Sequence, residues 1–280
     1  MVTLEKITAL PNFSSQLENK ILYSEHTSDI EIQYESACSI KYVIEGTKEY
    51  NHSHQDSLIS SGQYIILNNK NISTRALKGS KGLSFFLSPD LIGEIYSNLY
   101  ARDTSLEFFE FPQSNHNLIG DELQKMAFLY ENQPNLFKLQ MDDLFIHLSE
   151  TVIKEHVKIK AKFSELKIIK YNTQKELYKY ATMAQTYMHD NFTRKISLDT
   201  LSNAIGVSKY YLHRLFTEIM GYTPIEYLTF IRLNSAKEQL RLSKKTIFEI
   251  AVDNGFENSS YFSNVFKKYF GITPTIYREQ

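Results

Sequence analysis

Apolar residues toward the C-terminal end of the chain recur at helical spacing, and they do so twice. Leu212, Leu215, Phe216 and Ile219 fall on one stripe at 100° per residue, and Phe262, Val265, Phe266 and Tyr269 repeat that stripe fifty positions later. Gly221, Thr223, Pro224 and Tyr227 return as Gly271, Thr273, Pro274 and Tyr277 at the same offset. Upstream, Leu198, Leu201 and Gly206 return as Ile247, Ile250 and Gly255. Each copy predicts a short helix, a turn containing glycine and a second helix, the helix-turn-helix arrangement.

The faces opposite the two stripes are polar. Tyr210, His213, Arg214 and Thr217 project from the first, with Lys209 at its start. Ser260, Ser263, Asn264 and Lys267 project from the second, with Ser259 and Lys268 on its flanks. These types suit a DNA major groove. Arginine pairs with guanine, asparagine with adenine, His and Thr are smaller donors and acceptors, and tyrosine meets a phosphate or a thymine methyl. Any amphipathic surface helix has a polar face, so the expectation of DNA contact rests on the duplicated register and turn.

Thr223-Pro224-Ile225-Glu226 offers an N-cap hydroxyl, a proline at the first helical position and a glutamate placed to bond back, so a helix should start there. Phe230, Leu233, Ala236 and Leu240 carry its spacing to about Leu242, a rod of roughly 27 Å at 1.5 Å per residue. Such a rod could hold the two second helices about one DNA turn apart, roughly 34 Å, so that both enter successive major grooves. Thr246-Ile247-Phe248-Glu249 is a second capping box and opens the second copy.

The N-terminal part alternates differently. Ile30 to Ser36, Ser39 to Ile44, Gln63 to Leu67 and Leu83 to Leu87 are short β-branched and aromatic runs bounded by turn residues, which predicts a small barrel or jelly roll. Helical spacing resumes in Gly120 to Tyr130, through Leu123, Met126 and Leu129. It continues in Leu139 to Val157, through Leu144, Leu148 and Val152, with Pro134 separating the two helices. The lysines at 154, 158, 160, 162, 167 and 170 predict a solvated helix end or linker.

Composition sharpens this in three places. The net charge of −1 hides an asymmetry: residues 175–280 carry 14 Lys and Arg against 10 Asp and Glu, a balance of +4, which leaves −5 for residues 1–174. The basic part is the one expected to meet DNA, and the modest excess predicts binding that a dimer strengthens and salt weakens. Cys38 is the sole cysteine, which excludes an intrachain disulfide or a cysteine-based zinc site and reads as a buried thiol. No continuous apolar segment has the length of a signal peptide or a membrane span, so a cytoplasmic protein without membrane contact is expected.

From about Tyr171 to Arg278 the chain closely resembles the DNA-binding domain of the AraC/XylS family of bacterial transcription regulators. The resemblance is carried by Pro224, Tyr227, Arg232, Ala236, Leu240, Ile250, Ala251, Gly255, Phe256, Tyr261, Phe262, Phe266, Lys267, Gly271, Pro274, Tyr277 and Arg278, with the family's spacing intact. It implies two helix-turn-helix subdomains joined by a long helix and a role at promoters, usually activation. It places base-facing positions at Tyr210, His213 and Arg214, and at Ser259, Ser260, Ser263 and Asn264. Asn264 departs from the arginine that many relatives carry, which changes the base preference expected of the second helix. Tyr42-Val43-Ile44-Glu45-Gly46 followed by Gly62-Gln63-Tyr64-Ile65-Ile66-Leu67 resembles, more loosely, the cupin-like sensor domain of such regulators. The resemblance implies a small-molecule effector in the barrel, RNA polymerase as a partner, and a homodimer formed through the helices after the barrel. The fold class is therefore α+β: a cupin-like β-barrel or jelly roll at 1–112, a helical dimerisation and linker segment at 113–170, and an all-α double helix-turn-helix domain at 171–280.

His52 and His54, after Gly46, have the opening spacing of a metal-binding cupin motif. Leu58 and Ile59 stand where its glutamate is expected, and no later Gly-Pro-Gly-His phrase follows. The polar run Asn51 to Asp56 reads as a solvated hairpin tip, with effector contact through His52 and His54 as the alternative. No metal or cofactor is expected. No P-loop, GxGxxG, HExxH or GxSxG phrase occurs, so no residue supports an enzymatic reading. Two readings stay open beside an effector-responsive regulator: a ligand-independent dimeric regulator whose barrel only pairs subunits, and a cupin metalloenzyme fused to a DNA module.

Overall fold

The computed structural model describes residues 2–8, 18–36, 38–52, 55–68, 70–101 and 106–279. The chain divides into two compact units, Met1–Lys175 and Glu176–Gln280. The layout is α+β, sheet-rich first and helical last.

In the first unit, β1 (Thr3–Ile7), β2 (Lys20–Glu25), β3 (Ile30–Ser36), β4 (Cys38–Glu45), β5 (Thr47–His52), β6 (Gln55–Ser60), β7 (Gln63–Leu67), β8 (Lys70–Ala76) and β9 (Lys81–Leu87) precede α1 (Pro89–Tyr100). β10 (Gln113–Ser114), α2 (Leu118–Asn132) and α3 (Pro134–Glu165) follow. One sheet has the order β1-β2-β9-β4-β7-β10 and the other β3-β8-β5-β6. The β1–β2 pair is parallel and the other pairs are antiparallel.

The four runs legible in the sequence are β3, β4, β7 and the end of β9. The polar strands β5 and β6 show why others were not. In β5 only Lys48, Tyr50 and His52 point inward, so the buried set contains two charged or polar residues and one tyrosine. His52 therefore corrects the expectation of a solvated loop. It is fully buried at the end of β5, its Nε2 lies 3.0 Å from Ser57 Oγ, and its Nδ1 lies 3.7 Å from a carboxylate oxygen of buried Glu110. Strand alternation turns it inward. His54 lies outside the described residues. Cys38 is a buried free thiol, and burial pushes it up to about 12.

Leu123, Met126, Leu129, Leu148 and Val152 join Ile40, Tyr42 and Phe85 in one core, so the apolar stripes of α2 and α3 pack inward on the sheet. Pro134 opens α3, as its fixed φ and missing N–H allow. The helix then runs on through the lysine-rich stretch to Glu165, so of the expected solvated helix end or linker it is a helix end, and one face of it is packed rather than solvated. Val152, His156, Ile159 and Phe163 are buried at alternating spacings of four and three, so one face stays in the core while Lys154 and Lys158 point to solvent. Lys160 donates to Gln174 Oε1 at 2.9 Å and lies over the rings of Phe109 and Tyr171.

The second unit begins within α4 (Tyr171–Asn191) and holds α5 (Leu198–Ile205), α6 (Lys209–Met220), α7 (Pro224–Leu242), α8 (Ile247–Asp253), α9 (Ser259–Phe270) and α10 (Pro274–Arg278). Both expected capping boxes form: Thr223 with Glu226 opens α7, and Thr246 with Glu249 opens α8. In the first copy Leu212, Leu215, Phe216 and Ile219 are all buried. In the second, Phe262 and Phe266 are buried beside Leu240, Ile250 and Phe256, but Tyr269 is 42% exposed. Phe270, one residue on, takes over the packing, its ring centroid 4.6 Å from that of Phe266. The duplication therefore holds for the turn and the first two helical turns, and it relaxes at the end of the second copy.

Candidate nucleic-acid interface

The helices α6 and α9 are related by the same fifty-residue offset at both ends. Ser208 caps α6 by accepting from Tyr211 N–H, and Asn258 caps α9 by accepting from Tyr261 N–H. Left-handed Gly206 ends α5 in the first copy, and residues 254–258, with left-handed Gly255, connect α8 to α9 in the second.

On α6, burial of Leu212, Leu215, Phe216 and Ile219 turns Tyr210, His213 and Arg214 outward, all exposed. Thr217 is half-buried and its hydroxyl donates to His213 O at 2.7 Å, which leaves only its acceptor side for a ligand. Lys209 Nζ pairs with Asp199 at 3.1 Å, and that partner holds its pKa up. On α9, Ser260, Asn264, Lys267 and Lys268 are exposed while Ser259 and Ser263 are half-buried. Among the described residues, the side chains of Arg214, Asn264, Lys267 and Lys268 make no hydrogen bond or ion pair within the protein. Their donors are free for an external acceptor.

Arg232 belongs to the string shared with the family, and its structural role was not evident from spacing. Its place on α7 between Ile231 and Leu233, both buried, is the signal that was available: a guanidinium at the edge of a helix's apolar face needs a partner. Arg232 Nε donates to Phe192 O at 2.8 Å and Nη2 donates to Arg194 O at 2.7 Å, so α7 fastens the loop that follows α4. The guanidinium also lies 6.0 Å from the ring centroid of Phe256, in the second copy's turn. Gly255 makes room for it. Its φ is +75°, and a Cβ there would sit 2.7 Å from Phe192 O and 2.9 Å from Arg232 Nε. Lys195 and Glu257 add an ion pair across the same junction at 3.1 Å. A second tie uses Tyr227 of α7, whose hydroxyl lies 3.1 Å from both Gln185 Nε2 and His189 Nε2 of α4. The connecting helix thus fixes α4 and the second turn against one another with charge-assisted and neutral hydrogen bonds.

Among the described residues no group of three or more His, Cys, Asp or Glu could hold a metal ion. Among them, too, no helix is long and apolar enough to cross a membrane.

Residues 201–280 match the family model described as a helix-turn-helix domain. The bifunctional transcriptional activator/DNA repair enzyme AdaA of Bacillus subtilis (strain 168) is 39% identical over 93 residues, which is 33% of this chain and 44% of that protein. The transposon Tn10 TetD protein of Escherichia coli is 31% identical over 149 residues, 53% of this chain and 86% of that protein. Regulatory protein SoxS of Salmonella typhimurium (strain LT2) is 33% identical over 94 residues, 34% of this chain and 88% of that protein. The chain thus spans less than half of the first relative and most of the other two. With two capped helix-turn-helix copies on a shared connecting helix and relatives of this kind, the chain belongs to the AraC/XylS family of DNA-binding transcriptional regulators.

Proposed function

We propose that the protein activates transcription in the cytoplasm by reading two half-sites with α6 and α9, as a homodimer whose N-terminal unit senses a small molecule. The observation that carries the DNA part is the pair of exposed polar faces at one offset, with Arg214 and Asn264 in equivalent positions and both unpaired. Tyr210, His213 and Arg214 read bases in the first half-site, helped by the acceptor side of Thr217. Ser259, Ser260, Ser263 and Asn264 read them in the second. Lys209, Lys267 and Lys268 meet phosphates. RNA polymerase is the partner implied by the resemblance to activators. Replacing Lys267 with alanine is expected to weaken cognate and random DNA alike and to flatten the slope of log K against log salt by about one unit. An unchanged slope removes the phosphate contact.

The two sheets of the first unit support a cupin-like sensor over residues 1–112, followed by a helical dimerisation segment over 113–170 and the DNA-binding domain over 171–280. The apolar stripes of α2 and α3 lie in the unit's own core, so on this reading the seam uses the outer faces of these helices. Leu139 is 82% exposed, Phe128 57% and Ile146 38%, and Leu139 and Ile146 share a face seven residues apart. Leu139→Glu is expected to convert the dimer to monomer in sedimentation, with the melting temperature of the sheets unmoved. A variant that stays dimeric excludes this seam.

A further inference from the structure

We infer that the interior of the first unit's sheets binds the carboxylate of a small monocarboxylic acid between the side-chain nitrogens of Lys41 and Lys48. The inference rests on the proposed reading of this unit as a sensor, and it names the chemistry that the sensor would accept.

Lys41 lies in the middle of β4, paired in register with Ser84 of β9, and is 1% exposed. Lys48 lies on β5 and is 4% exposed. Among the described residues neither has a carboxylate partner. Lys41 Nζ rests 3.9 Å from the ring centroid of Phe86, and Lys48 donates to Ser24 Oγ, which in turn donates to Gly82 O at 3.3 Å. Gly82 leaves the room that this requires, since a Cβ there would sit 3.0 Å from Lys48 Nζ and 2.5 Å from Tyr42 O. His26 is 4% exposed, and its Nδ1 has no hydrogen-bond partner. All three side chains line one cavity of about 40 Å³.

Three buried basic groups without an acid among them leave the interior short of negative charge. Taking an ammonium without a counter-charge out of water is costly, so such groups shed protons instead. Burial accordingly lowers Lys41 well below the usual lysine range and brings Lys48 to about 7. An entering anion reverses this by supplying the missing charge, and the lysines take up protons as it binds. A single water occupies about 10–15 Å³ on this scale, so the cavity holds roughly three non-hydrogen atoms, the size of a carboxylate head. Ile7, Ile30 and Ile32 also line it and are only half-buried. They offer a short aliphatic tail its contact and offer a second charge no partner.

The test uses the full chain at pH 8 with butyrate, its neutral counterpart butyramide, and inorganic phosphate. Butyrate at ten times its Kd is expected to raise Tm by about 3–6 °C, with butyramide and phosphate inactive. Titration calorimetry in two buffers of different ionisation heat is expected to show proton uptake by the unmodified protein. Lys41→Met and Lys48→Met are expected to fold, with Tm at or above the starting value because a buried amine without a counter-charge is gone, and to lose the butyrate response. No butyrate response, an equal response to butyramide or phosphate, or binding without proton uptake overturns the site while leaving the sensor reading standing. DNA affinity is measured in parallel. Butyrate binding with unchanged DNA affinity upholds the site and overturns the sensor reading.

Discussion

Gly255→Ala is expected to cost the helical unit about 2–5 kcal/mol. The left-handed backbone there, with φ of +75°, costs alanine about 1–2 kcal/mol, and forcing a methyl against Phe192 O and the Arg232 guanidinium adds an overpacking cost of about 1–3 kcal/mol. Gly206 supplies the control. It holds the corresponding turn of the first copy at φ of +80°, but a Cβ there meets nothing within 4 Å, so Gly206→Ala should cost only the backbone part. Denaturant unfolding followed by helical circular dichroism measures both. Equal losses at the two glycines would show that the Arg232 junction does not constrain the second turn. Because Arg232 also holds the carbonyls of Phe192 and Arg194, the same substitution should loosen the second helix-turn-helix against α4 and weaken binding to paired half-sites more than to a single one.

Arg214→Ala is expected to weaken binding to the cognate duplex by about 1–3 kcal/mol, roughly 5–150-fold, and to change binding to random DNA little. If Arg214 reads a guanine as proposed, a bidentate pair is lost in the first case and only a general positive charge in the second. Arg214 is exposed and unpaired in the free protein, so no internal ion pair has to break before it reaches a base. Gel-shift or fluorescence titrations at one salt concentration give both values. Equal losses on both duplexes would make Arg214 a phosphate contact.

The helical unit was largely legible in the sequence because its signals are local. Capping boxes, glycines at turns and 3.6-residue spacing each act within a few residues, and Thr223 with Glu226, Thr246 with Glu249 and Gly206 all do in space what their spacing implied. Tyr269 escaped because a one-residue shift at a helix end lets Phe270 take its place, a choice made by packing and invisible to periodicity. In the sheets, β4 and β7 announced themselves through β-branched runs, whereas β5 hid behind Lys48 and His52 on its inward face. Pattern reading assigns such residues to solvent, which is why both the buried histidine and the buried lysine pair emerged only from the fold. Arg232 was visible as a residue, but its partners lie about forty positions away in the chain, beyond the reach of local spacing.

In the proposed reading α6 and α9 each read a half-site and α7 sets their separation. This is tested most directly by selecting duplexes from a random library with the full-length protein and again with Arg214→Ala. The expected result is a bipartite motif with half-sites about 10–10.5 base pairs apart, and loss of sequence preference in one half alone when Arg214 is removed. A single undivided motif that Arg214→Ala leaves intact, or no enrichment over random sequence, would contradict it.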